Sequence, residues 1–115
     1  MLNDTANWQN WASSPPANEW VSIGRENSSF NGIFDGNEFT VSGVYVNSAK
    51  DRQGFFGVLG SNGTIKKLGV VASHIKGKSC IGGLVGENIY LIVNSYFIGK
   101  FIGNSDVGEL VGSGK

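Results

Sequence analysis

The sequence predicts an all-β fold, a short parallel β-helix of about four coils with an N-terminal cap. The main observation is a glycine-hydrophobic box that recurs at Gly54–Gly57, Gly83–Gly86 and Glu109–Gly112, with starts 29 and then 26 residues apart. A second is composition, because 18 glycines and only 2 prolines favour tight turns in an ordered chain. Self-similarity at this spacing is typical of a solenoid, in which each repeat stacks on the next.

The first segment, residues 1–19, is predicted to cap the solenoid. It is mostly polar but contains two tryptophans. Trp8 and Trp11 lie three residues apart, on one side of a predicted short helix over residues 7–12. We expect both indoles to cover the open end of the core. Stacking on a sugar is the alternative role.

The second segment, residues 20–53, is predicted to form the first coils. Phe39, Val41, Val44 and Val46 alternate with small or polar residues, which indicates short half-buried strands. A turn is expected between strands at Asp35, which is followed by glycine and asparagine.

The repeats occupy the remainder of the chain, where strands alternate with turns and no helical crossover is predicted. Ile65 matches Ile92 at an offset of 27 residues, and Ile75 matches Phe101 at 26. Parallel pairing without helices indicates a β-helix with glycines at its corners, and an antiparallel β-sandwich is the competing fold. The ranges are repeat 1 at 54–82, repeat 2 at 83–108 and a partial repeat at 109–115, all within a repeat domain of residues 20–115.

These boxes and their flanking residues resemble the GLUG repeat, named for a glycine-leucine-any-glycine core. The matching stretches are Gly83–Gly86 with Glu87 and Asn88 after it, Ile92–Tyr96, the variant Gly54–Gly57, and the upstream Trp20–Gly24 and Phe30–Asn37. The resemblance implies a right-handed parallel β-helix, mostly bacterial and secreted or attached to the cell surface. It implies a stalk, spacer or binding surface, as in adhesin-like proteins and the non-catalytic parts of IgA-specific metallopeptidases, and no catalytic residue.

The sequence departs from the repeat pattern at two places, the first of which concerns the last coil. Glu109 stands where glycine is usual, and the chain stops soon after, at Lys115. Residues 88–91 put bulky side chains in place of a glycine-rich turn, which predicts a wider corner or an added contact surface.

Composition argues against several classes of partner. Nine basic residues balance nine acidic ones, which gives no electrostatic reason to expect nucleic acid or an anionic membrane. The sequence contains no run of 18 apolar residues, so no membrane span is predicted.

Met1–Asn10 has no signal-peptide pattern, so the chain is either cytoplasmic or a piece of a longer secreted protein. We expect a secreted or cell-surface location, because the GLUG resemblance implies it.

Catalysis, a metal and a cofactor are not expected. The single histidine, His74, and the single cysteine, Cys80, are too few ligands for a zinc site. Because Ile75 should point into the core, we expect His74 to point to solvent, and Cys80 to be a small buried residue. A nucleophilic Cys–His pair is therefore not predicted.

A surface that binds a carbohydrate ligand is predicted. Its candidates are the aromatic side chains that a glycan can stack on and two carboxylates of the first coils, namely Trp20, Asp35, Glu38, Tyr90 and Tyr96. The alternative is that Asp35 only forms a turn, Glu38 is solvated, and the aromatic residues cover the core or an end.

The C-terminal end lacks an evident cap, and an uncovered strand edge recruits other chains. Val107, Leu110 and Val111 are predicted to form an end-to-end interface with a second copy or with the remainder of a longer array. The sequence thus predicts a non-catalytic surface or secreted module for adhesion, spacing or interaction with a host protein or glycan. A carbohydrate-binding or polysaccharide-processing β-helix and a self-assembling structural protein are the alternatives.

Overall fold

The structure is a computed structural model that describes residues 2–114, so Lys115, the end of the predicted partial repeat, lies outside the described residues. The chain is all-β, with 49% of the described residues in strands or isolated β-bridges, and forms a parallel β-solenoid of about three turns. Its strands are β1 (Ile33–Asp35), β2 (Thr40–Ser42), β3 (Tyr45–Asn47), β4 (Phe56–Leu59), β5 (Thr64–Lys66), β6 (Gly69–Lys76), β7 (Ser79–Gly82), β8 (Val85–Asn88), β9 (Leu91–Val93), β10 (Tyr96–Ile102), β11 (Ser105–Gly108) and β12 (Val111–Gly114).

Each coil contributes one strand to each of several parallel sheets. The sheets have the strand orders β1-β5-β9, β2-β6-β10 with β3 also on β6, β7-β11, and β4-β8-β12. Every ladder between these strands is parallel. An antiparallel sandwich is therefore wrong for this chain.

The glycine boxes stack directly over one another, as the repeat predicts. Phe56 pairs with Val85, and Val85 pairs with Val111. An isolated parallel bridge from Ile23 to Phe56 adds a first level to this column. The ladder thus reaches four levels at this point, whereas the β1-β5-β9 and β2-β6-β10 sheets have three.

The matches outside the boxes are confirmed in the same way. Ile65 pairs with Ile92, and Ile75 pairs with Phe101. Since like side chains recur at each level, the interior is a set of apolar columns. Aromatic rings fill its N-terminal part, where Phe56 contacts Phe30, Phe34 and Phe55 at centroid distances of 5.1, 5.2 and 5.3 Å.

One corner of the solenoid differs from the expectation that glycine makes the turns. Arg52, Cys80 and Asp106 occupy equivalent positions in successive coils and have φ values of 58°, 60° and 52°. The glycines of the boxes are required for close packing of the backbone and not for the turns. A Cβ on Gly86 would lie 2.6 Å from the Arg52 carbonyl carbon and 2.7 Å from the Cys80 oxygen. Glycine is required there because the β4-β8-β12 sheet approaches the opposite backbone closely.

The N-terminal segment contains the short helix, a 3-10 helix at Trp8–Asn10. Leu2 N–H donates to the Ser42 carbonyl at 3.0 Å, and Asn3 Nδ2 donates to the Gly43 carbonyl at 2.9 Å. The segment therefore covers the outer edge at β2 and β3. Trp11 is buried edge-on against Tyr45, with ring centroids 5.8 Å apart, whereas Trp8 is only half-buried.

No helix within residues 2–114 is long and apolar enough to cross a membrane.

Candidate functional site

A groove of about 840 Å³ lies between residues 19–28 of the first coil and residues 46–53. We call it the first-coil groove. Most of its lining residues are polar or charged, with charges of both signs, and they include Trp20, Asn47, Asp51, Arg52, Gln53 and Lys78.

Arg52 links different levels of the solenoid at the rim of this groove. Its Nε donates to Glu87 Oε1 at 2.8 Å, and its terminal nitrogen lies 3.4 Å from Glu26 Oε2. The hydrogen bond to Glu87 raises the pKa of Arg52, and the negative charges of Glu26 and Glu87 add to this effect. Because the Glu87 carboxylate belongs to β8 and is buried, Arg52 is a structural link between coils.

Removing the Arg52 guanidinium should destabilise the fold. We expect Arg52→Met to lower the free energy of unfolding by about 1–3 kcal/mol, because a buried carboxylate loses a charged hydrogen bond. Lys66→Met is the matched control, since Lys66 and Asp35 are both exposed and lie 4.0 Å apart, and should cost less than about 0.5 kcal/mol. Urea denaturation of both variants measures this, and equal losses would contradict the role of Arg52.

Trp20, a predicted ligand residue, lines the groove, but its indole is fixed by contacts with Phe55. Its indole stacks on Phe55 with a centroid distance of 4.6 Å and an interplanar angle of 5°, and its Nε1 donates to the Phe55 carbonyl at 2.9 Å. The indole N–H is thus already used, and the side chain is half-buried.

The two predicted carboxylates lie at the corner that follows β1. Asp35 Oδ1 accepts a hydrogen bond from the Asn37 N–H at 2.9 Å, which is a local turn contact. Glu38 is exposed with a φ of 67°. Neither side chain lines the first-coil groove.

The two predicted tyrosines belong to the last coil. Tyr90 follows β8 and is 57% exposed, and Tyr96 begins β10 with its ring against Gly69. Trp20, Asp35 and Tyr96 belong to different sheets or levels, so the five candidates do not form one site.

His74 is buried, so the expectation that it faces solvent is wrong. Its ring stacks on Tyr45 with a centroid distance of 5.6 Å, and only 2% of the residue is exposed. The N-terminal segment covers this flank, with Trp11 against Tyr45 and Lys100 Nζ donating to the Gln9 carbonyl at 2.7 Å. A segment distant in sequence therefore buries a side chain that alternation places outside the core.

No hydrogen bond joins His74 to Cys80. His74 Nδ1 has no hydrogen-bond partner within the described chain. Cys80 is half-buried rather than buried, and desolvation, followed by the charge of Asp106, raises the pKa of its thiol. A raised pKa leaves less thiolate, which is the opposite of what a nucleophilic cysteine needs.

The buried imidazole makes stability depend on pH. Burial, followed by the charges of Lys100 and Lys76, lowers the pKa of His74 below 6.5. Because the unfolded chain binds the proton more readily, stability is greatest above pH 6.5 and falls as the pH drops towards the folded-state pKa. Thermal unfolding from pH 7.5 to 5.5 should show this loss, and His74→Phe should remove most of it, since the chain has one histidine. An unchanged profile in the variant would contradict the assignment.

Between residues 2 and 114, no three His, Cys, Asp or Glu side chains are grouped so that they could hold a metal ion. The groove lies beside the ion pairs that Arg52 makes with Glu26 and Glu87. Its chemistry suits hydrogen bonding to a polar ligand.

Comparisons with known proteins give two relatives. The chain is 38% identical over 84 residues to Halomucin from Haloquadratum walsbyi, a match that covers 72% of this chain and 1% of Halomucin. It is 32% identical over 79 residues to a putative Gly-rich membrane protein from Evansella cellulosilytica, covering 65% of this chain and 9% of that protein.

The chain therefore spans only a small part of the curated relatives that it matches. No family model matches the sequence, and no solved structure matches it significantly. The chain is a parallel β-solenoid that is similar to short stretches of two much longer proteins.

Proposed function

We propose that this chain is a non-catalytic spacer module, a stack of β-coils that sets distance within an exported or cell-surface protein. The observation that supports the proposal most is the constancy of the stacking. Phe56, Val85 and Val111 occupy one column, and Ile65 and Ile92 occupy another. Each coil therefore adds length to the stack by repeating the same packing.

The two relatives agree with a role as one part of a larger protein. Because 84 matched residues amount to 1% of Halomucin, that protein has several thousand residues. The names of the relatives, Halomucin and a Gly-rich membrane protein, favour the cell surface or exterior as the location. The GLUG resemblance of the boxes leads to the same location, and we infer that the coils are repeats of this type.

An internal duplication tests the spacer role. A second copy of residues 83–108 inserted after Gly108 keeps the 26-residue period, so the added coil should stack and lengthen the solenoid by about 4.8 Å. Small-angle X-ray scattering measures the length, and circular dichroism measures the strand content.

The matched control inserts residues 83–107 instead. One residue fewer shifts the register of the strand that follows, β12, and its inward side chains turn outward. We expect this variant to melt earlier than the in-register one. If the in-register duplication unfolds as readily as the shifted one, the coils are not interchangeable units and the spacer proposal fails.

The first-coil groove favours a second candidate, binding of a neutral or zwitterionic glycan. The groove combines an indole with amide and charged side chains, a combination that suits sugar hydroxyls. A glycan array followed by titration of wild type and Asn47→Ala tests it. Binding that weakens in the variant supports the glycan site, and binding that is unchanged places it elsewhere. Asn47 is exposed, so the variant should fold.

A further inference from the structure

The side chains of Tyr45, His74 and Lys100 form a column across three neighbouring strands. Tyr45 pairs with His74 between β3 and β6, and His74 pairs with Lys100 between β6 and β10. The N-terminal segment lies along this column, and its 3-10 helix contacts β6. Trp11 packs on the Tyr45 ring at one end of the column. At the other end, Lys100 Nζ donates to the Gln9 carbonyl. The segment therefore covers His74, the middle residue of the column.

This covered position suits a neutral imidazole and disfavours a charged one. His74 is 2% exposed, and its Nδ1 has no hydrogen-bond partner within residues 2–114. Burial lowers the pKa of His74, and the positive charges of Lys100 on β10 and Lys76 on β6 lower it further. A proton on the imidazole would thus add a third positive charge to a site from which water is excluded, which costs free energy.

The segment over the imidazole supplies no compensating charge. Residues 5–18 contain no charged side chain. The carboxylates that flank them, Asp4 and Glu19, accept the exposed backbone N–H groups of Ala6 and Asn47. On the sheet side, β3 places the Tyr45 ring against the imidazole at a centroid distance of 5.6 Å. An imidazolium at this position would therefore gain its compensation only from water.

The segment can separate from the coils because little of it belongs to their core. Within residues 2–18, Trp11 is the one buried hydrophobic side chain, and it lies outside the main apolar cluster of the coils. Two hydrogen bonds, from Leu2 N–H and Asn3 Nδ2, join the segment to the backbone at the end of β2. A segment with few buried apolar contacts opens at a lower free-energy cost than the whole fold.

We propose that residues 2–18 form a pH-sensitive strap, which lies on the solenoid while His74 is neutral and separates from it when His74 is protonated. The charged imidazole then reaches water, and the parallel ladders of the coils remain. Separation also uncovers the Tyr45 ring and frees the backbone edge at β2, which can pair with another strand. The strap does not depend on the spacer role, and the duplication that tests that role leaves it in place.

Strap closure and protonation oppose each other, so each must change the other by the same factor. The single histidine makes the His74 titration easy to follow by nuclear magnetic resonance. Trp11→Ala removes the ring that holds the strap, and it should raise the titration midpoint of His74 to about 6.5, the ordinary value of an exposed imidazole. Far-UV circular dichroism should stay as in wild type. Trp8→Ala, the matched control at a half-buried indole, should leave the midpoint unchanged.

Tryptophan emission tests the reverse direction. Between pH 7.5 and 5 the wild-type emission should shift to the red as Trp11 enters water, while circular dichroism stays constant. The equilibrium constant for opening should rise by up to about tenfold per pH unit below 6.5. His74→Phe should keep the strap closed over the whole range.

Asn3→Ala loosens the strap at its other end and serves as the second variant in case Trp11→Ala does not fold. An unchanged His74 midpoint in the folded variant would overturn the proposal. So would a wild-type emission that stays constant, a red shift that persists in His74→Phe, or a loss of circular dichroism at the same pH as the red shift.

Discussion

Replacing Phe56 by alanine should lower the free energy of unfolding by about 3–5 kcal/mol, the largest effect that we expect from a side-chain truncation in this chain. Phe56 is fully buried, pairs with Ile23 and Val85, and touches three other phenylalanine rings. The truncation leaves a cavity that backbone ladders on both sides prevent from collapsing. For a chain of this length the loss is a large part of the total stability.

Phe39→Ala is the matched control, because Phe39 is 72% exposed. It should change stability by less than about 0.5 kcal/mol. Urea denaturation followed by circular dichroism measures both variants. A small loss in Phe56→Ala would show that the aromatic cluster does not hold the coils together.

Gly86→Ala should destabilise the protein by about 3 kcal/mol, although alanine adds only one carbon. The new Cβ would lie 2.6 Å from the Arg52 carbonyl carbon and 2.7 Å from both Arg52 Cα and the Cys80 oxygen. All three atoms are backbone atoms of neighbouring coils, so no side chain can rotate away. The strand must move, and the pairing on both sides of β8 weakens.

Gly114→Ala is the control for the glycine series, since nothing lies within 4 Å of its added Cβ. Thermal melting of the two variants measures the difference. If Gly86→Ala has the same melting temperature as wild type, the β4-β8-β12 sheet does not approach the opposite backbone as closely as described.

The repeat in the sequence predicts the ladders because each coil buries the same columns. Pairing Ile65 with Ile92 and Ile75 with Phe101 requires only the offset between repeats. The absence of predicted crossover helices then leaves parallel coils as the arrangement. Local pattern and global fold agree here, since the same period of about 26–29 residues sets both.

The burial of His74 could not be predicted from strand alternation. Alternation places it on the outer side of β6, but the N-terminal segment lies over that side. Lys100 contacts Gln9 across 91 residues of sequence. Such a contact between the cap and the flank has no local signal.

The ion pairs of Arg52 cannot be predicted from local sequence for a similar reason. Its partners, Glu26 and Glu87, lie 26 and 35 residues away, on different coils. The coil period predicts that Arg52 and Cys80 occupy equivalent positions in successive coils, but not which side chain reaches Glu87. The left-handed backbone conformation at Arg52, Cys80 and Asp106 could not be predicted either, because none of the three is a glycine. Their position at a corner of the coil, and not their residue type, sets the conformation.

Nuclear Overhauser contacts between successive coils test the central claim most directly. In isotopically labelled protein, we expect cross-strand contacts that link Phe56 to Val85 and Val85 to Val111, in the pattern of parallel strands. Contacts that instead join neighbouring strands in antiparallel order, or none between these three residues, would contradict a solenoid in which the boxes stack.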